Sequence, residues 1–156
     1  MVNLDATAGT RGIWANKNPP DTIFTDRNIL GPVPPHVFCD YRYLPFRDDV
    51  FSCVIFDPPH AARNKTYKKF HWTDPTHPAY YGWDITDRDL KIGLIKGSKE
   101  FYRVSRRLCL KWGEVDYRLD QIYAFFKPWI EVHRRLTHAG KQPCWWVTFV
   151  RDEGVV

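Results

Sequence analysis

Long hydrophobic segments are missing from this 156-residue chain. No apolar run approaches the length of a membrane span, and the polar Asn3 and Asp5 stand where a signal peptide would need apolar residues. Internal repeats and low-complexity segments are missing as well. Because 44% of the residues are hydrophobic, the composition predicts one globular domain over residues 1–156, with no membrane contact.

The chain also lacks the spacings that indicate metal sites. Its four cysteines form no C-x-x-C pair, and its six histidines have no ligand spacing relative to them. Three of the four cysteines lie in apolar, strand-like segments, which favours buried thiols in a reducing compartment. We therefore expect a cytoplasmic protein with no metal. A net charge of +5 is compatible with a nucleic-acid partner but does not establish one.

The most informative stretch is C-V-I-F-D-P-P-H, residues 53–60. Its apolar half predicts a short strand buried on both faces, as in a parallel sheet. The strand stops at Asp57, and Pro58 and Pro59 stiffen the backbone and prevent a helix. A carboxylate and the Pro58 carbonyl are thereby exposed at the carboxyl end of a central strand, where ligands bind in open α/β sheets.

Such a pair suits the activation of an exocyclic base amine. The lone pair of this amine is delocalised into the ring, so the amine is a poor nucleophile. If Asp57 accepts one N–H and the Pro58 carbonyl accepts the other, the lone pair can point at an electrophilic methyl group. Taken alone, however, Asp-Pro-Pro is also typical of a plain turn after a strand.

The earlier strands are also predicted to end at aspartate residues. Residues 2–6 predict a strand that runs into a small-residue turn, residues 5–12, and then a short helix over residues 12–17. The turn is not G-x-G-x-x-G, because Arg11 replaces a glycine, which weakens a dinucleotide-binding interpretation. Strands over residues 22–25 and 36–39 then end at Asp26 and Asp40. With Asp57, three strands end in an acid, which indicates a nucleoside pocket along the sheet edge.

At these residues the chain resembles the class I S-adenosylmethionine (SAM)-dependent methyltransferases. L-D-A-T-A-G-T-R-G resembles their cofactor loop, and D-Y-R-Y-L-P-F-R-D-D-V-F followed by F-D-P-P-H resembles the approach to the catalytic motif of the N6-adenine and N4-cytosine enzymes. The chain is most similar to small prokaryotic and phage members with a D-P-P-H motif. Those members also have a Trp after the cofactor loop, a later K-W, and a last strand rich in Trp and Phe. The matching residues here are Trp14, Lys111, Trp112, Glu114, Trp146 and Phe149.

The resemblance implies a fold, a cofactor and a set of site residues. The fold is α/β, a Rossmann-like doubly wound, mostly parallel seven-stranded sheet with an antiparallel last strand. The cofactor is SAM, with Asp5 and the loop backbone near its methionine part, Arg11 near the carboxylate, Asp26 on the ribose, and Asp40 with Tyr41 around the adenine. The predicted cofactor-binding residues are Asp5, Ala6, Thr7, Ala8, Gly9, Arg11, Asp26, Arg27, Asp40, Tyr41 and Asp57. The predicted catalytic residues are Asp57, Pro58, Pro59 and His60.

After His60, residues 61–83 have the composition of a mobile substrate loop. Basic and aromatic side chains alternate there, a pattern typical of single-strand binding, although a lid over the cofactor is an equal alternative. The predicted substrate-binding residues are His60, Arg63, Lys65, Lys68, Lys69 and Trp72. His60 stands where most relatives have an aromatic residue that stacks on the target base.

The sequence leaves the acceptor and the partners open. The favoured acceptor is a base amine in DNA or RNA, with single-stranded or mismatched nucleic acid preferred over duplex. The alternatives are an amine of a small molecule or protein, and a cofactor-binding subunit without activity. Because no room remains for a separate recognition domain, we expect specificity to come from the loop, from a homodimer or from a separate subunit.

The second half of the chain predicts further elements of the sheet. A helix should begin at Thr86 or Asp87 and run to residue 108, followed by a strand over residues 108–112. A second helix over residues 119–126 and strands over residues 129–132 and 144–150 should complete the domain.

Overall fold

The computed structural model describes residues 2–27, 33–62 and 85–152, and within them a seven-stranded sheet forms the centre of the molecule. The strands are β1 (Val2–Asp5), β2 (Thr22–Asp26), β3 (Val37–Phe38), β4 (Phe51–Phe56), β5 (Arg107–Gly113), β6 (Ile130–His138) and β7 (Cys144–Val150). Their order is β3-β2-β1-β4-β5-β7-β6. The neighbours from β3 to β5 are parallel, and β7 is antiparallel to both β5 and β6. This confirms the predicted Rossmann-like fold with an antiparallel last strand.

Strand β4 lies in the middle of the sheet, and the D-P-P-H motif follows directly after it. Val54 and Phe56 are fully buried on one face, where the Phe56 ring lies 4.6 Å from Phe101 of the following helix. The same face of β5 buries Leu108 and Leu110, which pair in register with Val54 and Phe56. A continuous apolar layer therefore holds β4 in place, and with it the residues that follow Phe56.

That apolar layer is covered by helix α1 (Asp87–Val104). The helix begins with a capping box, in which the Asp89 N–H donates to the Thr86 hydroxyl and the Thr86 N–H donates to the Asp89 carboxylate. Its predicted start is confirmed, but it ends at Val104 and not at residue 108. Leu108 belongs to β5, because pairing with β4 satisfies its backbone groups there.

Two glycines in α1 make room for a tyrosine side chain beneath the helix. A Cβ atom built on Gly97 would lie 2.9 Å from the Tyr41 ring, and one on Gly93 would collide with its hydroxyl. The ring also packs edge-on against Phe56 at 5.0 Å. Burial raises the pKa of Tyr41 to about 12, so its hydroxyl is neutral at ordinary pH. Tyr41 thus joins α1 to the carboxyl edge of the sheet.

Several predicted elements differ from the observed ones. The helix predicted over residues 119–126 is a one-turn helix α2 (Leu119–Ile122) followed by a 3-10 turn (Tyr123–Phe126). The strand predicted over residues 129–132 extends from Ile130 to His138, because pairing with β7 continues along that whole length. Residues 12–17, predicted as a helix, form turns instead. None of the helices in the described ranges is long and apolar enough to cross a membrane.

Candidate active site

A cavity of about 460 Å³ opens at the carboxyl ends of β1, β2, β4 and β5. Its volume falls in the usual range for small-molecule sites, roughly 300–1,000 Å³. The lining residues are Ala6, Thr7, Ala8, Gly9, Thr10, Gly12, Ile13, Asp26, Arg27, Tyr41, Arg42, Asp57, Pro58, Pro59, His60, Ala61, Ile85, Asp89, Lys111 and Val115. Most of the predicted cofactor and catalytic residues thus surround one space.

The small-residue turn after β1 forms one wall and is held by backbone hydrogen bonds. The Ala6 N–H donates to the Ile55 carbonyl of β4, and the Ala8 N–H donates to the Thr25 carbonyl of β2, both at 3.0 Å. Gly9 has a φ of +47°, in the left-handed region that favours glycine. Because these side chains are small, a ligand can approach the backbone of the turn closely.

Asp26 closes this turn from the tip of β2. Its Oδ2 accepts the Gly9 N–H at 2.8 Å, and Asp26 and the neighbouring Arg27 line the cavity. The predicted ribose acceptor is therefore placed in the cavity and also fixes the conformation of the turn.

The structure corrects the expected position of Arg11. Its side chain is 2% exposed and does not line the cavity. The guanidinium donates to the Lys17 carbonyl at 2.7 Å, to the Asn18 side chain and to the Pro34 carbonyl at 2.9 Å. It also lies over the Phe24 ring at 3.9 Å. Arg11 therefore holds residues 11–18 in a folded loop, and these bonds account for turns where a helix was predicted.

Asp5 is also displaced from its predicted role beside the cofactor. It is 1% exposed and does not line the cavity; its carboxylate accepts from the Trp14 indole at 2.6 Å and from the Thr7 N–H at 3.1 Å. Burial raises the pKa of Asp5 to about 6, and these hydrogen bonds only partly oppose the rise. Asp5 supports the small-residue turn from below.

Asp40, predicted to frame the adenine, is bonded to Arg42, and Arg42 lines the cavity. Its carboxylate accepts from the Arg42 side chain, with Nε at 2.9 Å from each oxygen. Burial alone would raise the pKa of Asp40, but the bonds to Arg42 outweigh it and lower the pKa. Tyr41 and Arg42 line the cavity and Asp40 does not. The contact of Tyr41 with the adenine stays a prediction, and Arg42 is a lining residue that the sequence did not indicate.

Asp57 lies at the floor of the cavity with two basic partners. Its Oδ1 is 3.3 Å from His60 Nε2, and its Oδ2 accepts from Lys111 Nζ at 3.0 Å. The Asp57 N–H donates to the Thr7 hydroxyl at 2.9 Å, which ties the motif to the small-residue turn. Burial by itself raises the pKa of Asp57, yet His60 and Lys111 together bring it below its ordinary value. Asp57 is therefore an oriented carboxylate ion.

His60 is held by its surroundings in one orientation. Its ring meets Trp112 edge-on at 5.3 Å, and a Cβ on Gly113 would lie 3.1 Å from the ring. Its Nδ1 atom is buried and has no hydrogen-bond partner among the described residues. His60 lines the cavity and its Nε2 atom faces Asp57, while its catalytic and substrate-binding roles stay predictions.

Lys111 contacts Asp57 in the site, although the sequence indicated no role for it. In the sequence it stands out only as part of a K-W pair, but it lies near the carboxyl end of β5, next to the strand that carries Asp57. Its place near the end of a predicted strand is the sequence signal that could have indicated a site residue. The predicted substrate residues Arg63, Lys65, Lys68, Lys69 and Trp72 lie outside the described residues.

No family model matches the chain, and no curated protein sequence matches it. Its structure is similar to the crystal structure of magnesium protoporphyrin IX methyltransferase from Synechocystis PCC 6803 with bound SAM. The TM-score is 0.56 at 10% identity, over 97% of this chain and 70% of that one. The two chains share a fold. The Rossmann-like sheet with its antiparallel last strand is thus the fold of a solved methyltransferase.

Proposed function

We propose that the protein is a SAM-dependent methyltransferase that acts on an exocyclic base amine of DNA or RNA. The observation that carries the proposal is the ionised, oriented Asp57 at the floor of a cavity walled by a small-residue turn. The fold of a methyltransferase solved with bound SAM supports it. So does the D-P-P-H motif, which resembles that of amino-methyltransferases.

The residues around the cavity fit SAM. The turn at Ala8 and Gly9 presents backbone without large side chains, Asp26 offers carboxylate oxygens suited to ribose hydroxyls, and Tyr41 offers an aromatic surface for the adenine. The cofactor supplies an electrophilic methyl group on a sulfonium. Arg42, which is paired with Asp40, lines the wall next to Tyr41.

The chain's own part in the reaction is to position the acceptor amine. A carboxylate has about four lone-pair sites, so Asp57 can accept an amine N–H while it still binds Lys111 and His60. The Pro58 carbonyl accepts the second N–H. The nitrogen lone pair would then be oriented toward the methyl group that bound SAM would supply, and the amine proton would pass to solvent after transfer.

The test is methyl transfer from labelled SAM to oligonucleotides, followed by mass spectrometry of the nucleosides. Wild type should yield a methylated adenine or cytosine. Asp57→Asn should keep SAM affinity within a few-fold but lose about a hundredfold or more in turnover, as expected when a key polar stabiliser is removed. Full turnover by Asp57→Asn would contradict the role of Asp57, and transfer to no nucleic acid would contradict the acceptor.

A small-molecule acceptor is the second candidate. The similar solved structure is, by its name, a methyltransferase of a magnesium porphyrin. Incubation of the protein and labelled SAM with a nuclease-treated cell extract separates the two candidates. Label in small molecules but not in oligonucleotides would favour the second.

A further inference from the structure

Beyond the cavity, the two faces of β5 and β7 differ in burial. On one face Leu108, Leu110, Val147 and Phe149 are buried, and Phe126 of the 3-10 turn stacks on Phe149. On the other face every second residue of these two strands is half-buried or exposed, apart from Gly113, which is buried. No helix among the described residues covers that second face.

The register of the strands defines the second face. Cross-strand partners project to the same side of a sheet. Lys111 pairs with Trp146, and Trp146 pairs with Arg135; one row further along, Thr148 pairs with His133. Arg107, at the start of β5, lies on the same side by alternation. We call this surface the basic strand face, formed by Arg107, Lys111, His133, Arg135, Trp146 and Thr148.

The charge of the basic strand face has one sign. Glu131 is the one carboxylate within the three strands, all of which are fully described. It pairs in register with the buried Phe149 and accepts from the Tyr123 hydroxyl, so it belongs to the opposite face. Arg107 and Arg135 are exposed. Because Lys111 is paired with Asp57, Arg107 and Arg135 supply the exposed positive charge of this face, which complements a polyanion.

The face also offers an aromatic surface between two cations. Trp146 is half-buried and lies between Lys111 and Arg135, at the strand spacing of roughly 5 Å on each side. Aromatic side chains flanked by basic groups suit bases and phosphates of a single strand, since every base has a face that can stack. A duplex presents no free base face to such a residue.

Lys111 connects this face to the cavity. It belongs to the row of Trp146 and Arg135, and its Nζ atom lies 3.0 Å from Asp57. A chain lying across Trp146 would therefore pass next to the carboxylate that holds the acceptor amine. We propose that the basic strand face binds single-stranded nucleic acid and guides the target base to Asp57. This inference rests on the proposed function, for which it supplies the substrate-binding surface.

Fluorescence anisotropy with a labelled single-stranded oligonucleotide tests the surface without any turnover. Arg135→Glu should weaken binding about tenfold and make the dependence of log K on log salt shallower by about one unit, as for a lost phosphate contact. The matched control is Lys99→Glu, which makes the same charge change at an exposed position on α1. The control should change affinity less than threefold. Equal effects of the two variants would overturn the inference.

A second measurement tests the predicted contact between Trp146 and a base. Ultraviolet crosslinking of a halogenated oligonucleotide to the wild type, followed by peptide mass spectrometry, should identify peptides of β6 and β7. Trp146→Leu should remove the β7 crosslink and weaken binding about tenfold. Crosslinks confined to other parts of the chain would contradict the proposed surface.

Methyl transfer separates failure of this inference from failure of the proposed function. If wild type methylates oligonucleotides and Arg135→Glu raises their KM, both stand. If wild type methylates them and Arg135→Glu leaves KM unchanged, the basic strand face is overturned and the function is kept. If wild type methylates no nucleic acid, the proposed function fails, and the inference built on it fails too.

Discussion

The ion pair between Lys111 and Asp57 supports a quantitative prediction. The two side chains are 28% and 21% exposed, so the pair is neither fully buried nor freely solvated. A hydrogen bond to a charged group contributes roughly 1.5–3 kcal/mol, and partial exposure reduces this to about 1–2 kcal/mol. Lys111→Met keeps the aliphatic chain but removes the charge. For a chain of this size the melting temperature should fall by about 3–6 °C.

The pH dependence of this loss follows from the pKa of Asp57. Although burial alone would raise that pKa, His60 and Lys111 lower it below its ordinary value. The stabilisation from the charged pair is therefore fully present above the unfolded pKa, about 3.9, and disappears as the pH falls through the lower folded pKa. The gap between wild type and Lys111→Met should be nearly constant from about pH 8 to 5 and should narrow toward acid.

The assay is thermal unfolding by circular dichroism across this pH series, with Lys91→Met as control. Lys91 pairs with Asp87 on the surface of α1 at 3.1 Å, so its loss should matter less. Lys111→Met should also shift the acid limb of the methyl-transfer profile to higher pH, because Asp57 then protonates more easily. An unchanged melting temperature at pH 7, or a gap that widens as pH falls, would refute the reasoning.

Three further predictions concern the turn after β1. Asp26→Ala should weaken SAM binding at least tenfold by calorimetry, because an acceptor and the anchor of the Gly9 N–H are lost together; unchanged affinity would contradict this. Burial raises the pKa of Asp5 to about 6, so its favourable contribution is complete below the unfolded pKa and lost as pH rises through about 6. Wild type should therefore lose melting temperature relative to Asp5→Asn between pH 4 and 7, and a constant difference would argue against a raised pKa. Arg11→Met should destabilise the protein by about 2–4 kcal/mol in urea unfolding, since its acceptors lose their donor; near-wild-type stability would refute its loop-holding role.

Local sequence signals predicted most of the sheet. Strand β4 was recognisable as an apolar run stopped by Asp57 and two prolines, and α1 by the Thr86 cap before its apolar stripe. Both signals act within a few residues of chain, so no tertiary information is needed. Asp26 and Asp57 line the cavity for the same reason, because each directly ends or follows a parallel strand.

Contacts between distant residues could not be predicted in this way. Arg11 is turned inward by the Pro34 carbonyl, 23 positions later, and a charged residue in a turn gives no sign of such a partner. Lys111 meets Asp57 across 54 positions, which requires the register between β4 and β5. The sequence alone indicates strands that neighbour each other but not how they are aligned.

Tyr41, which lies beneath α1, limits which substitutions can stabilise this helix. Glycine inside a helix costs about 1 kcal/mol relative to alanine, so Gly93 and Gly97 are obvious targets for thermostabilisation. Here the substitution would instead force Tyr41 out of the space it shares with the cavity wall. Alanine at these positions becomes acceptable only together with a smaller residue at position 41. The strength of the helix and the shape of the cavity wall are therefore coupled through Tyr41, so neither can be changed at these glycines without the other.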